Sequence, residues 1–130
     1  MTAQTAVIPI EPFGKARPRV TKTGHAYMPD GYIAARASLR LRFGAVTVAP
    51  PWVLKVTAVR AMPGSWSKRR RAEMAGAWCA SKPDADNIVG AVMDALFEDD
   101  AAVVSVTCCK IWGPTPELRI EVRTVEAVAT

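Results

Sequence analysis

The chain has 130 residues and a mass of 14.0 kDa, room for one hydrophobic core, so a single domain over residues 1–130 is expected. Half of the residues are apolar and 22% are charged; this excludes a disordered or fibrous chain, and Pro50 and Pro51 break the longest apolar stretch, Phe43 to Leu54, so no segment reads as a membrane span. The net charge of +5 conceals a division, because residues 13–71 carry thirteen Lys and Arg against the single acid Asp30, whereas residues 72–130 carry four against ten acids. Folded together, the two parts would set a strongly positive surface beside a concentrated negative site, a layout suited to a protein that holds a polyanion and acts on it. Two unrelated solvated faces would give the same arithmetic. The first residues, MTAQTAVIPIEP, lack the basic flank and apolar run of a secretory signal, so a cytoplasmic protein is expected. Cys79, Cys108 and Cys109 lack CxxC spacing and His25 is the only histidine, which disfavours a zinc site or a disulfide framework.

Along the chain, Ala6 to Ile10 reads as a first strand closed by Pro12 and Gly14. The segment KARPRVTKTGHAYMPDG suppresses a helix through its prolines and glycines and reads as a loop or hairpin carrying Lys15, Arg17, Arg19 and Lys22. From Tyr32 to Phe43, Ile33, Ala37, Leu39 and Phe43 recur at helical spacing among Arg36, Arg40 and Arg42, predicting an amphipathic helix with a basic face. Trp52 to Val59 alternates as a half-buried strand. Four consecutive cations, Lys68, Arg69, Arg70 and Arg71, then predict a mobile or short-helical basic loop. The next helix is predicted to start at Pro83 and Asp84, with Ile88, Val92, Ala95 and Leu96 as its apolar stripe and Asp86, Gly90 and Asp94 along one polar edge. Val103 to Trp112 and Leu118 to Val125 read as two further strands. The expected order is β-α-β-α-β-β, an α+β fold with a mixed or antiparallel sheet and two helices.

Six acids (Asp84, Asp86, Asp94, Glu98, Asp99 and Asp100) and no Lys or Arg lie between residues 84 and 100. Carboxylates crowded into one site raise one another's pKa unless a cation neutralises them, so such a cluster points to a hard divalent metal, Mg2+ first of all. An N-capped helix followed by an acidic turn is the simpler explanation from composition alone.

The stretch SKPDADNIVGAVMDALFEDDAAVV resembles the RusA family of Holliday junction resolvases, whose pattern is a KPDxDN box, a helix ending in DAL, and a DD pair leading into a strand. GKARPRVTKTGHAYMP is similar to the Gly-Lys-x-Arg-Pro-Arg loop of that family, and WSKRRRAEMAG to its basic loop. The resemblance implies metal ligation and catalysis by Asp84, Asp86 and Asp100, with Mg2+ as cofactor. It assigns supporting roles to Asn87, Asp94 and Lys110. Lys15, Arg17, Arg19, Lys68, Arg69, Arg70, Arg71 and Lys82 become the expected DNA contacts, with four-way or branched DNA as partner and a homodimer matching the twofold symmetry of the junction. Tyr27 and Trp66 are candidates for stacking on bases.

Three departures from the pattern bear on activity. Gly90 stands where the family has a Lys one turn after the second Asp of the box; Ala102 replaces a typical Gln; and the link from DAL to DD is short. A substitute cation is expected from Lys15, Lys82 or Lys110. Two other functions stay open: a junction-binding protein whose catalysis has decayed through Gly90, and a small basic RNA-binding module with merely superficial acids.

Overall fold

A computed structural model describes residues 2–125. Strand β1 (Ala3–Ile8) leads into a small hairpin of β2 (Arg19–Val20) and β3 (Ala26–Tyr27), followed by α1 (Asp30–Phe43), β4 (Trp52–Ala61), α2 (Lys68–Met74) and α3 (Ala85–Leu96). A single 3-10 turn at Asp100–Ala102 then enters β5 (Val103–Gly113), and β6 (Glu117–Thr124) closes the fold. The four long strands form one mixed sheet in the order β1-β6-β4-β5, with β1 and β4 antiparallel to β6 and β4 parallel to β5.

This is an α+β fold with three helices where two were expected, because the cation-rich segment is itself helical. Ser67 caps α2 by accepting from the Arg70 backbone N–H at 3.1 Å, and repulsion among the cations is relieved by Glu73, 3.2 Å from Arg69, and by the Trp66 ring, 4.1 Å beneath the Arg70 guanidinium. The first strand also lies earlier than Ala6–Ile10. Its pairing with β6 spans residues 3 to 8, and Pro9, with no N–H to donate, ends the ladder.

Alternation in β4 and β6 builds one side of the core. Leu54, Val56 and Ala58 together with Leu118, Ile120 and Val122 are buried on the face covered by Ile88, Val92 and Ala95 of α3 and Leu39 and Phe43 of α1. Helix α1 buries Tyr32, Leu39 and Phe43, while Ile33, expected on the apolar stripe, is exposed and Ala37 only half-buried. The inward row runs through residues 32, 36, 39 and 43, and Ile33 sits about 100° round the helix from it. Among the described residues no helix is long and apolar enough to cross a membrane. The three cysteines are free, and burial pushes the Cys108 thiol up to about 11, with Cys109 adding and Lys110 opposing.

Parallel pairing of β4 with β5 requires a crossover, and α2 and α3 supply it. Helix α3 therefore runs back along the sheet, with its first turn beside the later half of β5 and its last turn beside the start of β5. That arrangement determines where each acid goes.

Candidate active site

The first turn of α3 carries Asp84 and Asp86. Asp84 is the residue before the helix, extended at φ −69° and ψ 147°, and its side chain makes no capping hydrogen bond. Its carboxylate instead accepts from Lys82 Nζ at 2.7 Å. That hydrogen bond and the lysine's charge hold the Asp84 carboxyl below the usual range, with Lys110 contributing and the slight desolvation opposing. Asp86 is exposed in the first turn, where the helix dipole favours a carboxylate. Lys110 of β5 donates to the carbonyls of Ser81 at 2.7 Å and Pro83 at 3.0 Å, so it ties the approach to α3 onto the sheet. Two oxyanions thus face solvent on a turn anchored by the lysine that follows the cysteine pair.

The segment between β1 and β2 crosses this turn as a strap. Lys15 donates its backbone N–H to the Asn87 carbonyl at 2.9 Å. Gly14 allows the approach, since a Cβ there would stand 3.1 Å from Asn87 Cβ. The Lys15 stem then lies over Gly90, where a Cβ would meet Lys15 Cδ at 3.5 Å. A helix-interior Gly costs about 1 kcal/mol relative to Ala; here a side chain from a distant segment lies against it, at a distance that a Cβ would meet in ordinary contact. Asn87 itself is exposed.

Asp94 is engaged elsewhere. It accepts from Tyr32 Oη at 2.7 Å and from Arg36 Nη1 at 2.8 Å, which clamps α1 to α3. Burial would raise its carboxyl, but those two hydrogen bonds and the charges of Arg36 and Lys15 outweigh burial and leave it below the ordinary value. Burial, with the bond to Asp94 next, raises the Tyr32 hydroxyl well above the tyrosine range.

The expected crowding of six acids into one site is not what the fold produces. Asp99 accepts from the Ala101 backbone N–H at 3.0 Å and caps the 3-10 turn, and Glu98, Asp99 and Asp100 are all exposed at the start of β5. Lys110, which touches Pro83, is seven positions beyond Val103, and at roughly 3.3 Å per residue that is about 23 Å along the strand. Helix α3 itself spans about 18 Å. Asp100 is therefore held at the opposite end of α3 from Asp84 and Asp86, and among the described residues no three His, Cys, Asp or Glu side chains converge as a metal-ligand group. The DAL-to-DD link is too short to return.

The cations expected to bind DNA gather mostly at the Asp84 end. Arg17 and Arg19 are exposed on the strap and in β2, and Arg19 is paired across the hairpin with Tyr27, which is 46% exposed. Lys68, Arg69 and Arg70 are exposed on α2, and Arg71 is half-buried. Helix α2 is attached to this end of the sheet through Trp66, which packs edge-on against Trp112 with ring centroids 5.0 Å apart. Trp66 is thus a packing residue beneath Arg70. Two features escape a reading of the sequence: Trp78, 74% exposed and bridged to Ile111 at the edge of β5, and the Tyr32–Arg36 clamp. For Trp78 the one available signal is a large aromatic among small residues, Gly76, Ala77, Cys79 and Ala80.

A concavity of about 800 Å³ lies between the end of α1 and the segment after α3, lined by Arg40, Trp52, Phe97 and Asp99 among others. It is remote from Asp84 and Asp86. The open, cation-flanked carboxylate surface at the start of α3 suits a duplex-sized anionic substrate, whereas concave clefts serve small ligands.

Comparison with known proteins accords with this layout. The profile of the family described as Endodeoxyribonuclease RusA matches residues 9–123. The chain is also 31% identical over 134 aligned residues to the uncharacterized protein YqaN of Bacillus subtilis (strain 168), an alignment covering 90% of this chain and 93% of the relative. A match that runs from the end of β1 through β6 includes the strap, the basic helix and both acidic segments, and the chain belongs to the RusA endodeoxyribonuclease family.

Proposed function

We propose that this chain, acting as one domain, is a Mg2+-dependent, structure-selective endodeoxyribonuclease that resolves four-way DNA junctions as a homodimer. Family membership implies a junction-resolving nuclease, and one observation carries the finer reading: Asp84 and Asp86 stand together at the exposed start of α3 with Lys82, Lys110 and the Lys15 strap around them.

The donor chemistry fits the ion. Magnesium is typically held by one or two carboxylates, with water and substrate phosphate completing its shell, and Asp84 and Asp86 supply two hard oxygen donors on a surface that a phosphodiester can approach. When bound, the ion acidifies a water and neutralises charge on the scissile phosphate. Lys82, 84% exposed at its side chain, is placed to exchange Asp84 for a DNA phosphate, so the site stays near electroneutral with and without substrate. Lys110 keeps the Ser81–Pro83 backbone fixed, so that the two carboxylates do not have to be ordered at the moment of reaction. Arg17, Arg19 and Lys68 to Arg71 contact the phosphate backbone and read shape more than sequence.

Two nicks in opposed strands call for two sites, which a twofold homodimer provides. Strand β5 is an edge of the sheet, and Val104 and Val106 are 60% and 47% exposed on it. Lys110 and Trp112 turn their backbone groups outward, toward Cys79 and Ala77, and by alternation Val106 does the same. Antiparallel pairing of two β5 strands about Ser105 would bring Asp100 of each chain toward residue 110 of the other, which gives Asp100 a place beside an acid pair that it does not reach within its own chain.

The test is a labelled synthetic four-way junction incubated with protein and Mg2+. Symmetric nicks in opposed strands are expected, together with a dimer by sedimentation. Asp86→Asn should abolish cutting while junction binding persists or tightens, since removing negative charge beside DNA phosphates does not weaken affinity. Cutting at the wild-type rate by Asp86→Asn would overturn the assignment of the acids, and binding without any cutting by the wild-type protein would favour a junction-binding protein.

A further inference from the structure

Lys15 is held by its backbone and is itself exposed. The hydrogen bond from its N–H to Asn87 docks the strap on the first turn of α3, and the aliphatic stem then crosses the helix at Gly90, where a Cβ would touch Lys15 Cβ at 3.7 Å and Cδ at 3.5 Å. Gly90 lies four positions after Asp86 and four before Asp94, so the stem passes along the edge on which both acids are displayed. The ammonium stands two bonds beyond Cδ, and its charge is felt at Asp94. Asp94 is already clamped by Tyr32 and Arg36, so it attracts the ammonium without being consumed by it. Of the neighbouring lysines, Lys110 is held by two carbonyls and Lys82 is paired with the Asp84 carboxylate in the absence of DNA.

We propose that Lys15 supplies the cation that neutralises charge growing on the scissile phosphate, delivered from the strap across the gap that Gly90 leaves in α3. The inference rests on the nuclease reading above. In the reaction a bond forms between the water oxygen and phosphorus as a phosphorus–oxygen ester bond breaks; the water proton passes to solvent, and the leaving ester oxygen departs with the electron pair of the broken bond and takes up a proton from solvent. Negative charge grows on the non-bridging oxygens, and Lys15 stabilises it while keeping its own proton. Gly90 is then part of the site: a side chain longer than that of Ala would displace the stem, and a Lys there would replace the charge that it displaces. The role is specific to a cation, so a neutral stem of equal length should fill the space and fail in the chemistry.

Single-turnover cleavage of a synthetic junction, with protein in excess and Mg2+ present, measures the chemical step apart from affinity. Lys15→Met, which keeps the stem and removes the charge, should slow cleavage on the order of 10²-fold, while junction affinity should change only as expected when about one DNA phosphate is no longer neutralised. Lys15→Arg should stay within several-fold of wild type and keeps the test valid if the Met variant folds poorly. Lys15→Met combined with Gly90→Lys should recover about tenfold or more of the lost rate. Lys15→Met cutting at the wild-type rate, while Asp86→Asn is inactive in the same assay, would overturn this proposal and leave the nuclease reading intact. Failure of the double variant to recover any rate would reduce Lys15 to a strut for the strap and also overturn the proposal. Absence of cutting by wild type would instead remove the nuclease reading on which it rests.

Discussion

Replacing Asp94 with Ala removes the single acceptor shared by Tyr32 and Arg36 and should unfasten α1 from α3. The two bonds, at 2.7 and 2.8 Å, both end on a charged oxygen, a class in which each bond contributes roughly 1.5–3 kcal/mol. The side chains of Arg36 and Asp94 are 33% and 28% exposed, so water can take over part of this role, and an exposed ion pair is worth less than about 1 kcal/mol. The expected loss is therefore about 2 kcal/mol, or about 7 °C in melting temperature for a chain of this size. Tyr32→Phe, which removes one of the two bonds, should lose about 1 kcal/mol, and the double variant should fall short of the sum because the two groups share a partner. The pH dependence has a definite sign. Because the folded chain holds the Asp94 carboxyl below its ordinary value, its contribution is fully present above the unfolded pKa of about 4 and is lost as pH falls through the lower folded value. Urea unfolding of wild type and Asp94→Ala from pH 7 to pH 3 should show a constant gap that narrows only below about pH 4. A gap under about 0.5 kcal/mol at pH 7, or one unchanged down to pH 3, would refute the clamp.

Replacing Arg69, Arg70 and Arg71 together with Ala should weaken binding to every DNA shape and flatten the slope of log affinity against log salt by roughly 0.9 for each phosphate that the variant leaves unneutralised; an unchanged slope would show that the cluster is only solvated surface. Gly90→Ala adds a Cβ at ordinary contact distance from the Lys15 stem and should stabilise the fold by about 0.5–1 kcal/mol through helix propensity, as read by the denaturation midpoint. Gly113→Ala has the opposite sign. A Cβ there collides with the Val59 side chain where β5 closes on β4, and overpacking of that kind costs about 1–3 kcal/mol, visible as a fall in melting temperature.

Much of the architecture is legible in the sequence because it is written in local periods. The two-residue alternation of β4 and β6 and the apolar stripe of α3 require only the residues themselves, and the prolines and glycines that bound them lie within a few positions. The chemistry-bearing types are legible too: Asp84 and Asp86 two residues apart at a helix start, the Lys68–Arg71 run, and a Gly in the middle of a good helix. The helical state of α2 is only half legible, because its stability comes from the Trp66 ring under Arg70 as much as from its own propensities.

What no local pattern carries is where separate segments meet. The tertiary structure decided that β5 joins the sheet parallel to β4, which turns α3 back along the strands and carries Asp100 away from Asp84 although only sixteen positions separate them in the chain. It decided that Asp94, spaced like a site residue, clamps Tyr32 and Arg36. It also decided that Lys15, seventy-five positions before Gly90, lies across that glycine. Sequence spacing measures distance along one element, and it loses that meaning once the chain turns; from there the sheet register and the shape of the core determine which charges become neighbours.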